Sequence, residues 1–126
     1  MKSIIKYAFF LLLGLTILQF FTSKMSVVFK NDSTETITKL NIDISNNESY
    51  TFLNIEPGQQ SPTLKVRGAY RHCYAEALIG NDTIKYQPID YFEEQFFTKG
   101  KMTIHLTLSE TQNQKRLSMD GMWTLF

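Results

Sequence analysis

The chain has 126 residues, 43% of them hydrophobic and 20% charged, with a formal net charge of +1. With the two lysines near the start set aside, eleven cations face twelve carboxylates over residues 24–126. That balance argues against a nucleic-acid binder, which needs a basic face to neutralise phosphates, and against a polybasic membrane-surface binder. The single cysteine, Cys73, rules out an intrachain disulfide and is expected to serve as a small core residue.

The first element is apolar. Lys2 and Lys6 lead into fifteen uncharged residues, 7–21, and the chain turns polar at Thr22-Ser23-Lys24. Cations ahead of an apolar run are what a secretion translocase reads, so the remainder is expected to work outside the cytoplasm. As a helix, residues 7–21 reach about 22 Å and residues 4–21 about 27 Å, against a hydrocarbon core of about 30 Å. Length therefore leaves a cleaved signal peptide and a retained anchor both open. Signal peptidase requires small side chains at the last and third-last leader positions. A cut after Thr22 or Ser23 puts Phe20 or Phe21 third from last, a cut after Ser26 puts Lys24 there, and a cut after Met25 leaves a bulky last residue. No cysteine follows the run to carry a lipid. The preferred reading is an uncleaved signal-anchor over residues 1–23, touching the bilayer through residues 4–21. Residues 24–126 then form one domain on the periplasmic side of an inner membrane; a secreted or periplasmic protein after cleavage is the alternative.

Beyond the anchor, short alternating segments recur between turn residues. Val27-Val28-Phe29 runs into Asn31-Asp32-Ser33. Leu40, Ile42 and Ile44 then alternate with Lys39, Asn41 and Asp43, the period-two pattern of a half-buried strand; Ile37 breaks that parity and calls for a bulge or a later strand start. Residues 50–55 form another strand, stopped by Glu56-Pro57-Gly58 with proline second in the turn and glycine where a positive φ is needed. A strand at residues 64–67 ends at Gly68. Residues 72–79 fit either a strand with Cys73, Ala75, Ala77 and Ile79 on one face or a short helix. A short strand holds Ile84 and Tyr86, and residues 102–108 form the clearest strand of all. Asp120-Gly121 predicts a hairpin turn between residues 117–119 and 122–126. The expected fold is all-β: a single immunoglobulin-like antiparallel β-sandwich of about seven to eight strands after an N-terminal hydrophobic helix.

The run Phe29-x-Asn31-x-Ser33, Ile37-x-x-Leu40-x-Ile42-x-Ile44 and Tyr50-x-Phe52-x-Asn54-Ile55-x-Pro57-Gly58 resembles small, exported, membrane-tethered β-sandwich proteins of Gram-negative bacteria. The likeness spans residues 27–108 and rests on strand and turn chemistry. Proteins of this type largely lack an assigned activity, and some small tethered ones protect a cell against a toxin. The resemblance implies no catalytic residues.

Several constellations bear on chemistry. His72 and Cys73 are neighbours, so on a strand they point to opposite faces and cannot pair as base and thiol. His105 falls on the polar face of its strand and reads as a surface histidine. No spacing supplies three or four zinc ligands, and Asp90, Glu93 and Glu94 read as a solvated turn rather than a calcium loop. Residues 88–97 hold four aromatics and three carboxylates. In one reading Phe92 and Phe96, four apart, cap the core on a helical turn. In the other, Tyr91 and Phe97 form an exposed partner site rimmed by charge. Lys65, Arg67, Tyr70, Arg71, His72 and Tyr74 make a basic–aromatic stretch, explained by a solvated sheet face. Three Asn-x-Ser/Thr triplets, at Asn31, Asn47 and Asn81, fall in turns and matter only in a host that glycosylates exported proteins.

These readings converge on a non-enzymatic interaction module without cofactor or metal, whose partner is a protein met through an edge strand or through Tyr91, Phe92, Phe96 and Phe97. Toxin neutralisation is one version. The alternative is a structural or assembly subunit of an inner-membrane complex, in which the anchor packs against other helices.

Overall fold

The computed structural model describes the backbone of residues 2–22, 25–45, 48–88 and 95–125, and the side chains in those ranges other than 18–22 and 45. A helix, α1 (Lys2–Thr22), precedes β1 (Met25–Asn31), β2 (Ile37–Ser45), β3 (Glu48–Ile55), β4 (Leu64–Val66), β5 (Tyr74–Ile79), β6 (Asp82–Tyr86), β7 (Lys101–Thr111) and β8 (Gln114–Thr124). The eight described strands form two four-stranded sheets, ordered β4-β1-β7-β8 and β3-β2-β5-β6. The chain changes sheet four times, and three hairpins, β2–β3, β5–β6 and β7–β8, supply the local pairing.

Alternation decides which side chains join the two sheets. Met25, Val27 and Phe29 of β1 face inward with Met102, Ile104 and Leu106 of β7, and from the other sheet Leu40, Ile42, Ala75, Ala77 and Ile79 meet them in one buried cluster. The Phe29 and Phe52 rings, one from each sheet, lie 5.9 Å apart. Cys73 is buried in the same cluster, beside Met119, as expected of a small core residue. Residues 74–79 are a strand, not a helix; Ala75 and Ala77 sit at 0% exposure where larger side chains would push the sheets apart. The Glu56-Pro57-Gly58 turn forms as read, with Gly58 at a φ of 80° and the Gln59 N–H donating to the Glu56 carbonyl.

Three expectations need correction. The sheets are not wholly antiparallel: β1 pairs with β7 in parallel. The segment between β6 and β7 returns the chain to the end where β1 begins, and Ser26 N–H donates to the Gly100 carbonyl there. The parity break at Ile37 is no shift in the β2–β3 register, since Ile37 faces Ile55 in the same ladder that pairs Leu40 with Phe52. Instead, Asn54 takes a φ of 53° between the Lys39–Leu53 and Ile37–Ile55 pairs, which brings Ile55 back to the core beside Ile37. The register shift of this ladder lies further along, between Asp43 and Ser45.

The third correction concerns the last hairpin. β8 runs unbroken through Asp120 and Gly121, paired with His105 and Ile104. The turn is at Gln112 and Asn113, with φ of 53° and 61°, the double left-handed geometry of a tight two-residue connection. Gly121 is needed for a different reason: a Cβ there would stand 2.7 Å from the Arg71 carbonyl and 2.8 Å from its Cα. Because glutamine is costly at a left-handed position, replacing Gln112-Asn113 by Asn-Gly is expected to stabilise the fold by about 0.5–1 kcal/mol. A rise in the urea midpoint at constant m checks this.

Candidate functional site

The described part of the aromatic segment at residues 88–97 packs against the strand end at residues 68–71. Ala69 and Phe97 exchange two backbone hydrogen bonds, of 2.8 and 2.9 Å, so the two segments cross as an isolated antiparallel bridge. Consecutive residues of an extended chain point to opposite sides. Phe97 turns inward to 6% exposure, stacked on Trp123 at 4.9 Å, with the Arg71 guanidinium 5.4 Å from its ring centre. Phe96 turns outward, stays 45% exposed, and leans on Tyr70 at 4.9 Å. Its ring occupies the space that a side chain on residue 68 would fill, which explains a glycine there. Trp123 is fixed from behind by its indole N–H, which donates to the Lys99 carbonyl at 2.7 Å.

Of the four aromatics singled out from sequence, Phe96 and Phe97 thus lie back to back on one short segment, while Tyr91 and Phe92 lie outside the described residues. Phe97 belongs to the core rather than to an exposed rim, and residues 95 and 96 are not helical, so Phe96 is no core cap. Sequence reasoning missed Trp123, Tyr70 and Arg71 as members of this cluster. They are distant in the chain, and only the Ala69–Phe97 bridge and the end of β8 bring them together. The result is a half-exposed aromatic held rigidly by packed neighbours, with a cation alongside. Such groups lose little conformational freedom when a partner covers them, and aromatic and arginine anchors carry most of the energy at protein interfaces.

The other candidates are engaged within the fold. His105 Nδ1 contacts the Asp32 carboxylate at 2.5 Å on the outer face of its sheet. His72 and Tyr86 stack at 6.4 Å. A groove of about 390 Å³ opens between β6 and the β7–β8 hairpin, lined by Asp82, Glu110 and Lys115 among others. Lys115 already bridges it, 3.1 Å from Glu35 and 3.7 Å from Asp82.

Asn31 is a heavily bonded polar side chain of the core. It is fully buried; its Nδ2 donates to the carbonyls of Glu35 and Ile55, both at 2.8 Å, and its Oδ1 accepts from the Ser33 amide and hydroxyl. Its backbone N–H and carbonyl bind Gln59 and Gly58. Of the three glycosylation triplets, that at Asn31 is therefore closed once the domain is folded. Asn47 lies outside the described residues, and Asn81 is exposed in the β5–β6 turn.

Two groups titrate late. Burial raises the Tyr50 phenol above its ordinary 10.0, reinforced by the charge of Glu48 and a hydrogen bond to it. The hydrogen bond to Glu35 raises Lys115 above 10.5, opposed by desolvation and aided by the charges of Glu35, Asp82 and Glu110. Each binds its proton more tightly folded than unfolded, so the stability it adds is complete below the unfolded value and is lost as pH rises through the folded one. The denaturation midpoint is expected to fall as pH rises above the ordinary phenol and ammonium values of 10.0 and 10.5. The fall should be smaller in Tyr50→Phe, whose side chain cannot ionise; an equal fall in that variant would remove Tyr50 from the account.

The chain matches no family model, no curated protein and no solved structure.

Proposed function

We propose that this protein is a non-enzymatic interaction module: an immunoglobulin-like β-sandwich held at the periplasmic face of an inner membrane by its N-terminal helix, and binding a protein partner through Phe96. The observation that carries the reading is the cluster itself, a 45%-exposed Phe96 backed by Tyr70 and flanked by Arg71 over the Phe97–Trp123 stack. The immunoglobulin-like description draws on two four-stranded sheets that share one core, with strands passing between them. Protection against a toxin is one form the interaction can take.

The anchor reading draws support from α1. Its large apolar side chains between Ile4 and Ile17 are 46–75% exposed, and Thr16 returns its hydroxyl to the carbonyls of Leu12 and Leu13. A helix apolar on every side needs an apolar surrounding. Among the described residues no helix is long and apolar enough to cross a membrane. The proposal therefore counts the whole apolar run of the sequence, residues 4–21, at about 27 Å, with Lys6 drawn back to the headgroups. The exposed helix also suits the second reading, a subunit of a membrane complex whose other helices cover α1.

A photo-crosslinking side chain placed at residue 96 of the full-length chain tests the partner in intact cells. A discrete adduct with another protein is expected, abolished by Arg71→Glu and absent when the probe stands at Thr51 on the other sheet. Equal labelling from both positions would sink the Phe96 site. Intact mass of the chain recovered from carbonate-washed membranes tests the anchor: a full-length mass is expected, and a soluble chain lacking about twenty residues would make the domain a free one.

A further inference from the structure

We infer that the end of the sandwich where α1 enters is a docking surface for anionic phospholipid headgroups, so that the domain rests on the bilayer instead of swinging from it. The inference deepens the membrane-anchored reading and depends on it. Chain length sets the first condition. Thr22 ends α1 and Met25 begins β1, and three residues hold these within about 11 Å even when fully extended. That is close to the screening length of about 8–10 Å in physiological salt, so charges at this end of the domain act on a membrane that holds the helix.

On the β4–β1–β7–β8 sheet, the described charges at that end are positive. In the β4–β1–β7–β8 sheet, Ser26 pairs with Lys65 on one side and Lys101 on the other, and Lys101 pairs with Thr124, so two exposed lysines share the outward row nearest the helix. Arg67 follows β4 and Lys99 precedes β7, both exposed. The carboxylates of this sheet lie elsewhere: Asp32 and Glu110 are at the far end, and Asp120, opposite His105, is four residues from Thr124, or about 13 Å along the strand. Asp43 and Glu48 reach the same end on the other sheet, where Glu48 accepts a hydrogen bond from Tyr50. Among the described residues of this sheet, the carboxylates thus stand away from the end where the helix enters. Apolar groups complete the surface: Leu125, 55% exposed, lies against Gly100, and Trp123, part-exposed, stands at the end of β8. Lysine, arginine, tryptophan and leucine at one level are the composition of a headgroup interface.

Trp123 is the only tryptophan of the chain and reports on this end directly. The full-length protein would be reconstituted into vesicles of phosphatidylcholine alone or with roughly one-third phosphatidylglycerol, each doped with headgroup-nitroxide lipid. Flotation in carbonate is read alongside Trp123 quenching. Expected are flotation with both vesicles and strong quenching only in the anionic ones. The quenching should be lost at about 1 M salt, where screening shortens to about 3 Å. Lys65→Gln combined with Lys101→Gln should lower the docked-to-free ratio on the order of tenfold. Flotation without quenching in either vesicle overturns the docking and leaves the anchor intact. Quenching that is equal in both vesicles and indifferent to salt reduces the contact to tethering and overturns the electrostatic surface. A chain that fails to float overturns the anchor reading and the docking with it.

Discussion

Replacing Asn31 by alanine is expected to cost about 3–4 kcal/mol, a large part of the 5–15 kcal/mol that holds a domain of this size together. The side chain makes four hydrogen bonds at zero exposure, and its removal strands the carbonyl of Ile55 and the amide of Ser33, while the Glu35 carbonyl keeps only the Ser33 hydroxyl. A buried polar group left unpaired costs about 1–3 kcal/mol, more than a satisfied bond contributes, because water no longer reaches it. Asn31→Asp keeps the volume but removes both donors and sets a carboxylate against two carbonyls, so it should be at least as damaging at neutral pH. Urea denaturation at constant m reads both variants. A loss under about 1 kcal/mol for Asn31→Asp would mean that packing, not hydrogen bonding, fixes residue 31.

Gly121→Val is expected to destabilise by about 2–3 kcal/mol and to move the emission of Trp123. The added side chain meets backbone rather than a flexible side-chain tip, since the carbonyl and Cα of Arg71 stand within 3 Å of its Cβ. Relief requires residues 70–72 to leave β8, and Arg71 then leaves Phe97, on which Trp123 stacks. Asp120→Ala, one residue away and exposed, should change stability little. If Asp120 and Gly121 formed a turn, the two substitutions would disturb the same geometry and their effects would be similar. Trp123 fluorescence and a thermal scan separate the two outcomes.

These two residues also show what the sequence could and could not disclose. Strand β2 was legible because Leu40, Ile42 and Ile44 keep a strict period of two, and the Pro57-Gly58 turn because each residue type has one steric reason to be there. Asp120-Gly121 carried the same composition as a turn, yet its glycine answers a chain that is fifty residues distant in sequence; local pattern cannot distinguish the two uses. The true turn, Gln112-Asn113, had only asparagine to mark it. Asn31 read as one more turn residue, since nothing local reveals that the carbonyl of Ile55 will arrive beside it. Phe96 and Phe97 were found as a composition but not as a division of labour. Their opposite roles, one facing solvent and one core, depend on the Ala69–Phe97 bridge.

The parallel pairing of β1 with β7 also fixes an order of events. Ribosomes deliver residues 25–31 long before residues 101–111, and β1 is an inner strand that has no partner on that side until β7 exists. The sheet of β2, β3, β5 and β6 closes from neighbours in the chain, whereas β1 must hold an open ladder until β7 has emerged. Long-range closure of this kind slows folding and leaves an edge on which another chain can pair. The newborn domain is therefore most vulnerable at β1, and a truncation that removes the β7–β8 hairpin leaves that strand permanently waiting.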